Sequence, residues 1–316
     1  MMKTEISEVQ TPEAAEAVVS FRVAPPRKTK ANRDSRGSRA RSRINTVVLY
    51  AILVLLSIPF IYPTVWMIFS SFKPTSEIFS QPPRLWPVEW TLDGFAKIFT
   101  AQPFLQQYGN SLYIAFIVTA GSLAVSGLAG YAFARMRFPF RNTMFVILLA
   151  SMMVPSEVTI IPIFTAVNAI GLTDTHWPLI LLPLLGPSSV VSVFIFRQYF
   201  LSLPGELEEA ARLDGLGRVG IFTRIAFPLA RPAIAAVTIL TFLRSFNMYF
   251  EPLIFLTTPE KFTVALGITR YQDGYGEPLW TTQLGAASLT VIPILIVFLL
   301  AQKQFIEGIA GTGVKG

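Results

Sequence analysis

Four long stretches of the chain carry no Asp, Glu, Lys or Arg: Ile44 to Phe72, Ile98 to Ala134, Thr175 to Phe196 and Pro278 to Gln302. A helix needs about 20 apolar residues to cross a bilayer, and each stretch is long enough. Two more apolar stretches are interrupted by charge: 142–165 contains Glu157, and 233–255 contains Arg244 and Glu251. The pattern predicts an all-α integral membrane protein of six spans, at about residues 46–70, 110–133, 142–165, 177–199, 230–256 and 282–302.

Between the fourth and fifth spans the polarity reverses. "SLPGELEEAARLDG" predicts a short helix with Ser202 as N-cap and Pro204 in the first turn. Glu206, Glu208 and Glu209 place negative charge at the positive end of its dipole. Leu203, Leu207, Ala210 and Ala211 are expected to share a face, and Gly215 to stop the helix in the left-handed conformation. A second short helix is expected from Arg218 to Phe227, ending at Pro228. The segment 202–228 is too short to span. It is either an amphipathic helix lying on the membrane surface or a rigid knob that enters a groove on a partner, with Glu209 offering a carboxylate.

Elsewhere the punctuation is proline and small residues. After span one a proline-rich segment carries Trp86 and Trp90, suited to headgroup level. There Thr91 is expected to cap a helix presenting Leu92, Phe95, Ile98 and Phe99 on one face. Span two is rich in Gly, Ala and Ser, which let helices approach closely in lipid. Pro155 and Pro162 should kink span three, and Pro183 and Pro187 span four.

Composition agrees: 52% of residues are hydrophobic and 14% charged, against about 25% charged in soluble domains. Basic residues crowd the N-terminal tail, the loop at Arg135 to Arg141 and the loop 202–228, while few lie in the alternate loops. The positive-inside bias puts both termini and the loop 202–228 in the cytoplasm, and the absence of cysteine fits the expectation of a bacterial cytoplasmic (inner) membrane. The net charge of +7 then reflects topology and attraction to anionic lipid. Nucleic acid is not an expected partner, since no folded basic domain accompanies the tail. Residues 1–43 are expected to be a disordered basic tail rather than a cleavable signal peptide, and 304–316 a cytoplasmic C-terminal tail.

Polar groups inside spans mark candidate sites. Arg244, Phe246, Asn247, Tyr249 and Glu251 in span five, with Glu157 in span three, are the substrate-pathway candidates. Arg244 and Glu251 are seven apart, two turns along one face and about 10 Å in rise. These residues equally suit an interhelical polar clamp or a gate. His176, the single histidine, is expected to be an interface residue of a loop. "GIAGTGVKG" is not a phosphate loop, because Val314 stands where that pattern needs lysine. No paired carboxylates, histidine cluster or nucleophile share a face, so no catalytic residue, no metal site and no enzyme activity are expected in this chain.

The segment around Glu209 resembles the EAA loop of ATP-binding-cassette (ABC) transporter permeases, matching at Glu209, Ala210, Ala211, Asp214, Gly215, Ile225 and Pro228. "SFKPTSEIF", "NSLYIA", "FNMYFEPLIFL" and the closing "QKQFIEGIAGTGVKG" are similar to carbohydrate-uptake permeases, most of all the smaller permease of maltose-type systems. The resemblance covers residues from about 44 onward. It implies the type I importer permease fold and a second, usually different, permease chain. It also implies two ATPase subunits, alike or different, and an extracytoplasmic substrate-binding protein. ATP and Mg would be held by the ATPase partners, with no cofactor in this chain. The ATPase contact would be made by the seven matching residues together with Arg218, and more weakly by the C-terminal tail. The family often has Trp-Asn followed by an acid where this chain has Phe246, Asn247 and Met248, and Glu251 stands where Trp is common. Those departures leave the substrate open. The competing class is a stand-alone secondary transporter driven by an ion gradient, which calls for inverted halves and a buried acid or histidine relay.

Overall fold

A computed structural model describes the backbone of residues 35–313 and the side chains of residues 45–303. Expectations for residues 1–34 and 314–316 lie outside the described residues. The chain divides into two units, residues 1–59 and 60–316.

The first unit holds most of helix α1 (Ser35–Ser70), so helix begins within the stretch expected to be an unstructured tail. Residues 45–59 are exposed along all faces, as a lipid-facing helix without polar backbone to satisfy requires.

In the second unit, α2 (Thr75–Ile78) and α3 (Asp93–Ala101) lead into α4 (Phe104–Arg135). Then follow α5 (Arg141–Ser151), α6 (Ser156–Ala169), α7 (Trp177–Leu185) and α8 (Val190–Ser202). The short α9 (Glu206–Leu213), α10 (Arg218–Ile221) and α11 (Phe227–Leu229) precede α12 (Arg231–Phe246), α13 (Phe250–Phe255), α14 (Val264–Ile268) and α15 (Trp280–Gly313). Among the described residues four helices are long and apolar enough to span, and two bent pairs bring the total to six.

Two spans are more broken than the apolar pattern suggests. α5 and α6 meet at 96°, and α7 and α8 at 53°. Pro155 and Pro187 follow the two breaks, where each removes an N–H and turns its predecessor away from helical backbone. Hydropathy runs through both breaks because it records burial in lipid, not direction.

α4 packs mainly on α8 and α12. A Cβ added at Gly130 would stand 2.6 Å from Phe196 Cβ and 2.9 Å from the Arg197 backbone nitrogen. The contact therefore needs glycine, as expected of small residues in span two. Ser122 Oγ donates to Ser192 Oγ across the same seam at 3.3 Å.

The helix α3 departs from its expected face. Thr91 Oγ1 does accept the Asp93 N–H at 3.1 Å. Gly94 and Ile98 are buried, however, while Leu92 and Phe99 are exposed. Gly94 lets the helix sit directly on Thr281, whose Cγ2 is 2.5 Å from where a Cβ would be. Nearby, Lys73 is fully buried. Its ammonium donates to Arg84 O at 2.6 Å and Ser70 Oγ at 3.3 Å. Burial lowers its pKa, against a smaller upward pull from Glu77.

At the same end of the unit, the loop before α7 is tied to the loop before α14. Asp174 pairs with Lys261 at 2.8 Å and accepts the Thr257 and Thr258 N–H groups and the Thr258 hydroxyl. Burial pushes the Asp174 carboxyl up, but these hydrogen bonds outweigh it and hold the group well below the usual carboxylate range. His176 joins the clamp, contacting Tyr113 Oη through Nδ1 and Lys261 O through Nε2 at 2.6 Å. It is an interface residue, as expected, between elements of this chain.

Candidate functional site: the loop 203–230 and the broken fifth span

At the opposite end of α4, the charged loop is folded onto the helical unit. Ser202 belongs to α8, its hydroxyl donating to Tyr199 O at 2.7 Å, and Gly205 is the N-cap of α9. The expected cap is therefore displaced: α8 runs on through Ser202 and the chain turns at Leu203–Pro204 before α9 begins. The expected face is also divided. Glu208 and Ala211 are buried, whereas Leu207, Glu209, Ala210 and Leu213 are exposed.

Glu208 explains the rotation. Its carboxylate lies 3.3 Å from Arg135 Nε and 3.6 Å from Arg212 Nη2. Arg135 Nε also donates to Phe200 O at 2.9 Å, and its Nη2 donates to Leu203 O. One guanidinium thus closes the last turn of α8 and holds the first turn of α9, a cation at one helix C-terminus and its carboxylate partner at another N-terminus. Behind the pair, Ala211, Ile221 and Phe222 pack with Tyr131, Phe196 and Phe200.

α9 ends as expected. The Leu216 N–H donates to Ala211 O and the Gly215 N–H to Arg212 O, both at 3.0 Å. With Gly215 at φ +82° this is a Schellman stop. Pro228 does not end the second helix. A π turn (Phe222–Ala226) leads into α11, with the Phe227 N–H donating to Phe222 O. The wider turn accommodates Pro228, which cannot donate an N–H. Arg218 is exposed, and Ile225 is half-buried against the aromatic cluster. Asp214 is exposed at the α9 C-cap. Arg218, Glu208 and Glu209 share an open cavity of about 640 Å³ with Arg135, Arg137 and Arg141.

The span-five candidates are divided by a break. α12 stops at Phe246 and α13 starts at Phe250, so Arg244 and Glu251 do not lie on one continuous helical face. Phe246 is fully buried beside Phe242, not open to a pathway. Asn247 uses its amide to donate to Leu243 O at 2.9 Å. Tyr249 is exposed and Glu251 half-buried, while Glu157 is exposed in the first turn of α6. Arg244 lines a cavity of about 260 Å³, with Ser122, Ser188, Ser192, Thr241 and Ser245. Glu208 and Arg135 were missed by sequence reasoning, which read three acids in one turn as a dipole effect. Their partnership spans the distance from α4 to α9 and no local spacing encodes it.

Broken apolar helices with a stapled helical loop at one end have the form of a multi-pass membrane protein. Residues 124–309 match the family of binding-protein-dependent transport system inner membrane components. The chain is 36% identical over 259 residues to the arabinooligosaccharides transport system permease protein AraQ of Halalkalibacterium halodurans, covering 81% of this chain and 91% of that protein. It is 31% identical to the sn-glycerol-3-phosphate transport system permease protein UgpE of Escherichia coli, over 84% of this chain and 96% of the relative. A crystal structure of a bacterial ABC transporter involved in the import of the acidic polysaccharide alginate has a chain of the same fold. Its TM-score is 0.70 at 22% identity, covering 84% of this chain and 98% of that one. The chain belongs to the binding-protein-dependent inner membrane permease family.

Proposed function

We propose that this chain is one permease subunit of an ABC importer that moves a carbohydrate or related polyol across the bacterial cytoplasmic membrane. ATP is hydrolysed in separate subunits, and an extracytoplasmic binding protein delivers the substrate. A second permease chain completes the pathway. The loop 203–230 and both termini face the cytoplasm.

The observation that carries this reading is the two-faced helix α9. Glu208 and Ala211 fasten it to α4 and α8, while Glu209, Ala210 and the 90%-exposed Leu213 are bare. A helix fastened on one side and bare on the other suits transmission of load from a partner into the spans. Two such states, weighted differently by ATP, make a rigid-body switch. Relatives named for oligosaccharide and glycerol-phosphate transport support the substrate class. An ion-driven carrier is disfavoured: Glu157 is exposed, and Glu251 is separated from Arg244 by the break at 247–249.

The native chain has no cysteine, so a single cysteine at Leu213 gives an unambiguous crosslink. It should join the ATPase subunit in the assembled importer, and uptake into proteoliposomes should require ATP and the binding protein. Uptake by this chain alone, or no crosslink to an ATPase in any nucleotide state, would overturn the proposal.

A further inference from the structure

Arg244 stands near the middle of the span Arg231–Phe255, which has 25 residues. It is exposed in this chain, and among the described residues no carboxylate lies within ion-pair distance of it. A lone cation at that depth calls for an anionic partner. Headgroup phosphates lie about 15 Å from the bilayer midplane, beyond the reach of an arginine side chain there.

The surroundings of Arg244 indicate what kind of anion. The cavity it lines, about 260 Å³, is walled by α4, the α7–α8 break and α12. Its lining is mixed: the hydroxyl-bearing Ser122, Ser188, Ser192, Thr241 and Ser245 stand among apolar residues such as Val118 and Leu240. Ser245 is 2% exposed and its Oγ has no hydrogen-bond partner. An unpartnered buried hydroxyl beside an unpaired guanidinium is a site short of a ligand with both hydroxyls and negative charge. A guanidinium grips a carboxylate or phosphate in a two-pronged manner, while hydroxyls exchange hydrogen bonds with a polyol in either direction.

Building on the permease reading above, we infer that this chain contacts the transported molecule directly, through a subsite made by Arg244, Ser245 and the hydroxyls of Ser122, Ser192 and Thr241. The occupant is a small polyhydroxylated anion: a sugar or polyol bearing a carboxylate or a phosphate. Arg244 neutralises the acid group and the hydroxyl wall receives the polyol.

The complete importer, reconstituted in proteoliposomes with its binding protein, distinguishes the sources of charge. Uptake is measured for digalacturonate, glycerol 3-phosphate and neutral arabinobiose, in wild type and in Arg244→Gln, Arg244→Lys and Ser245→Ala. ATP-driven uptake of one anionic probe should fall at least tenfold in Arg244→Gln and recover in part with Arg244→Lys. Ser245→Ala should raise KM severalfold with little change in kcat, and gel filtration should show every variant assembled with its partners. Which anionic probe responds identifies carboxylate or phosphate. Three results overturn the inference while leaving the permease reading intact: ATP-driven uptake of neither anionic probe, anion uptake equal in Arg244→Gln and wild type, or loss of assembly in Arg244→Gln that is repaired by removing an acid from the partner permease. ATP-independent uptake would instead sink the permease reading itself.

Discussion

The Arg135 guanidinium at the end of α4 and the Glu208 carboxylate in the first turn of α9 meet at 3.3 Å, with side chains only 18% and 11% exposed. This pair is where the loop 203–230 is joined to a span. Removing Glu208 leaves the Arg135 guanidinium without a carboxylate, at about 3–5 kcal/mol, whereas removing Arg135 leaves Glu208 its second partner, Arg212, at 3.6 Å and should cost less. Arg135→Ala and Glu208→Ala should each lower the melting temperature of the detergent-solubilised protein and open the loop to protease. A double variant, Arg135→Met with Glu208→Leu, should recover part of the loss. Additive losses in the cycle of Arg135→Ala, Glu208→Ala and the double alanine variant would show that the two side chains act separately.

Gly215 terminates α9 at φ +82° with open space where a Cβ would point. Gly215→Val therefore meets backbone strain rather than a clash, about 1–2 kcal/mol, and the Schellman stop should fray. Uptake should fall while the spans stay inserted. Gly215→Asn, which tolerates the left-handed region, should keep most of the activity.

Glu209 is exposed and makes no ion pair among the described residues. Glu209→Lys should leave thermal stability within about 0.5 kcal/mol, as for other surface changes, yet abolish stimulated ATPase activity in the assembled importer. Normal stimulation would remove Glu209 from the coupling contact.

Gly130 lies where α4 and α8 touch, and Phe196 Cβ and the Arg197 backbone leave no room for a side chain. Gly130→Val should force the helices apart at about 1–3 kcal/mol, seen as a lower melting temperature. Gly109, with nothing near its absent Cβ, should tolerate alanine and serves as the control.

The Asp174–Lys261 clamp should respond to acid. A carboxyl whose folded-state pKa is depressed stabilises the fold above its unfolded value, near 4, and loses that contribution as pH falls below it. The direction at Asp174 is downward, so the loops 170–176 and 256–262 should loosen only below about pH 4. Hydrogen exchange at the Thr257 and Thr258 amides reports it, and Asp174→Asn should show the loosened state already at neutral pH.

Six apolar stretches, the small residues of α4 and the glycine stop of α9 were all legible along the chain, because each depends on neighbours within a turn or on transfer into lipid. Ser202, Leu207 and Ala210 were misplaced for the opposite reason. Which side of α9 faces inward was decided by Arg135, some seventy residues earlier, and local amphipathicity carries no record of that partner. The 96° break at Met152–Pro155 and the separation of Arg244 from Glu251 belong to the same class. Hydropathy specifies that a segment leaves water. The direction it takes, and which polar group it keeps unpaired, are fixed only when the helices pack and each buried charge and backbone group finds, or lacks, its partner.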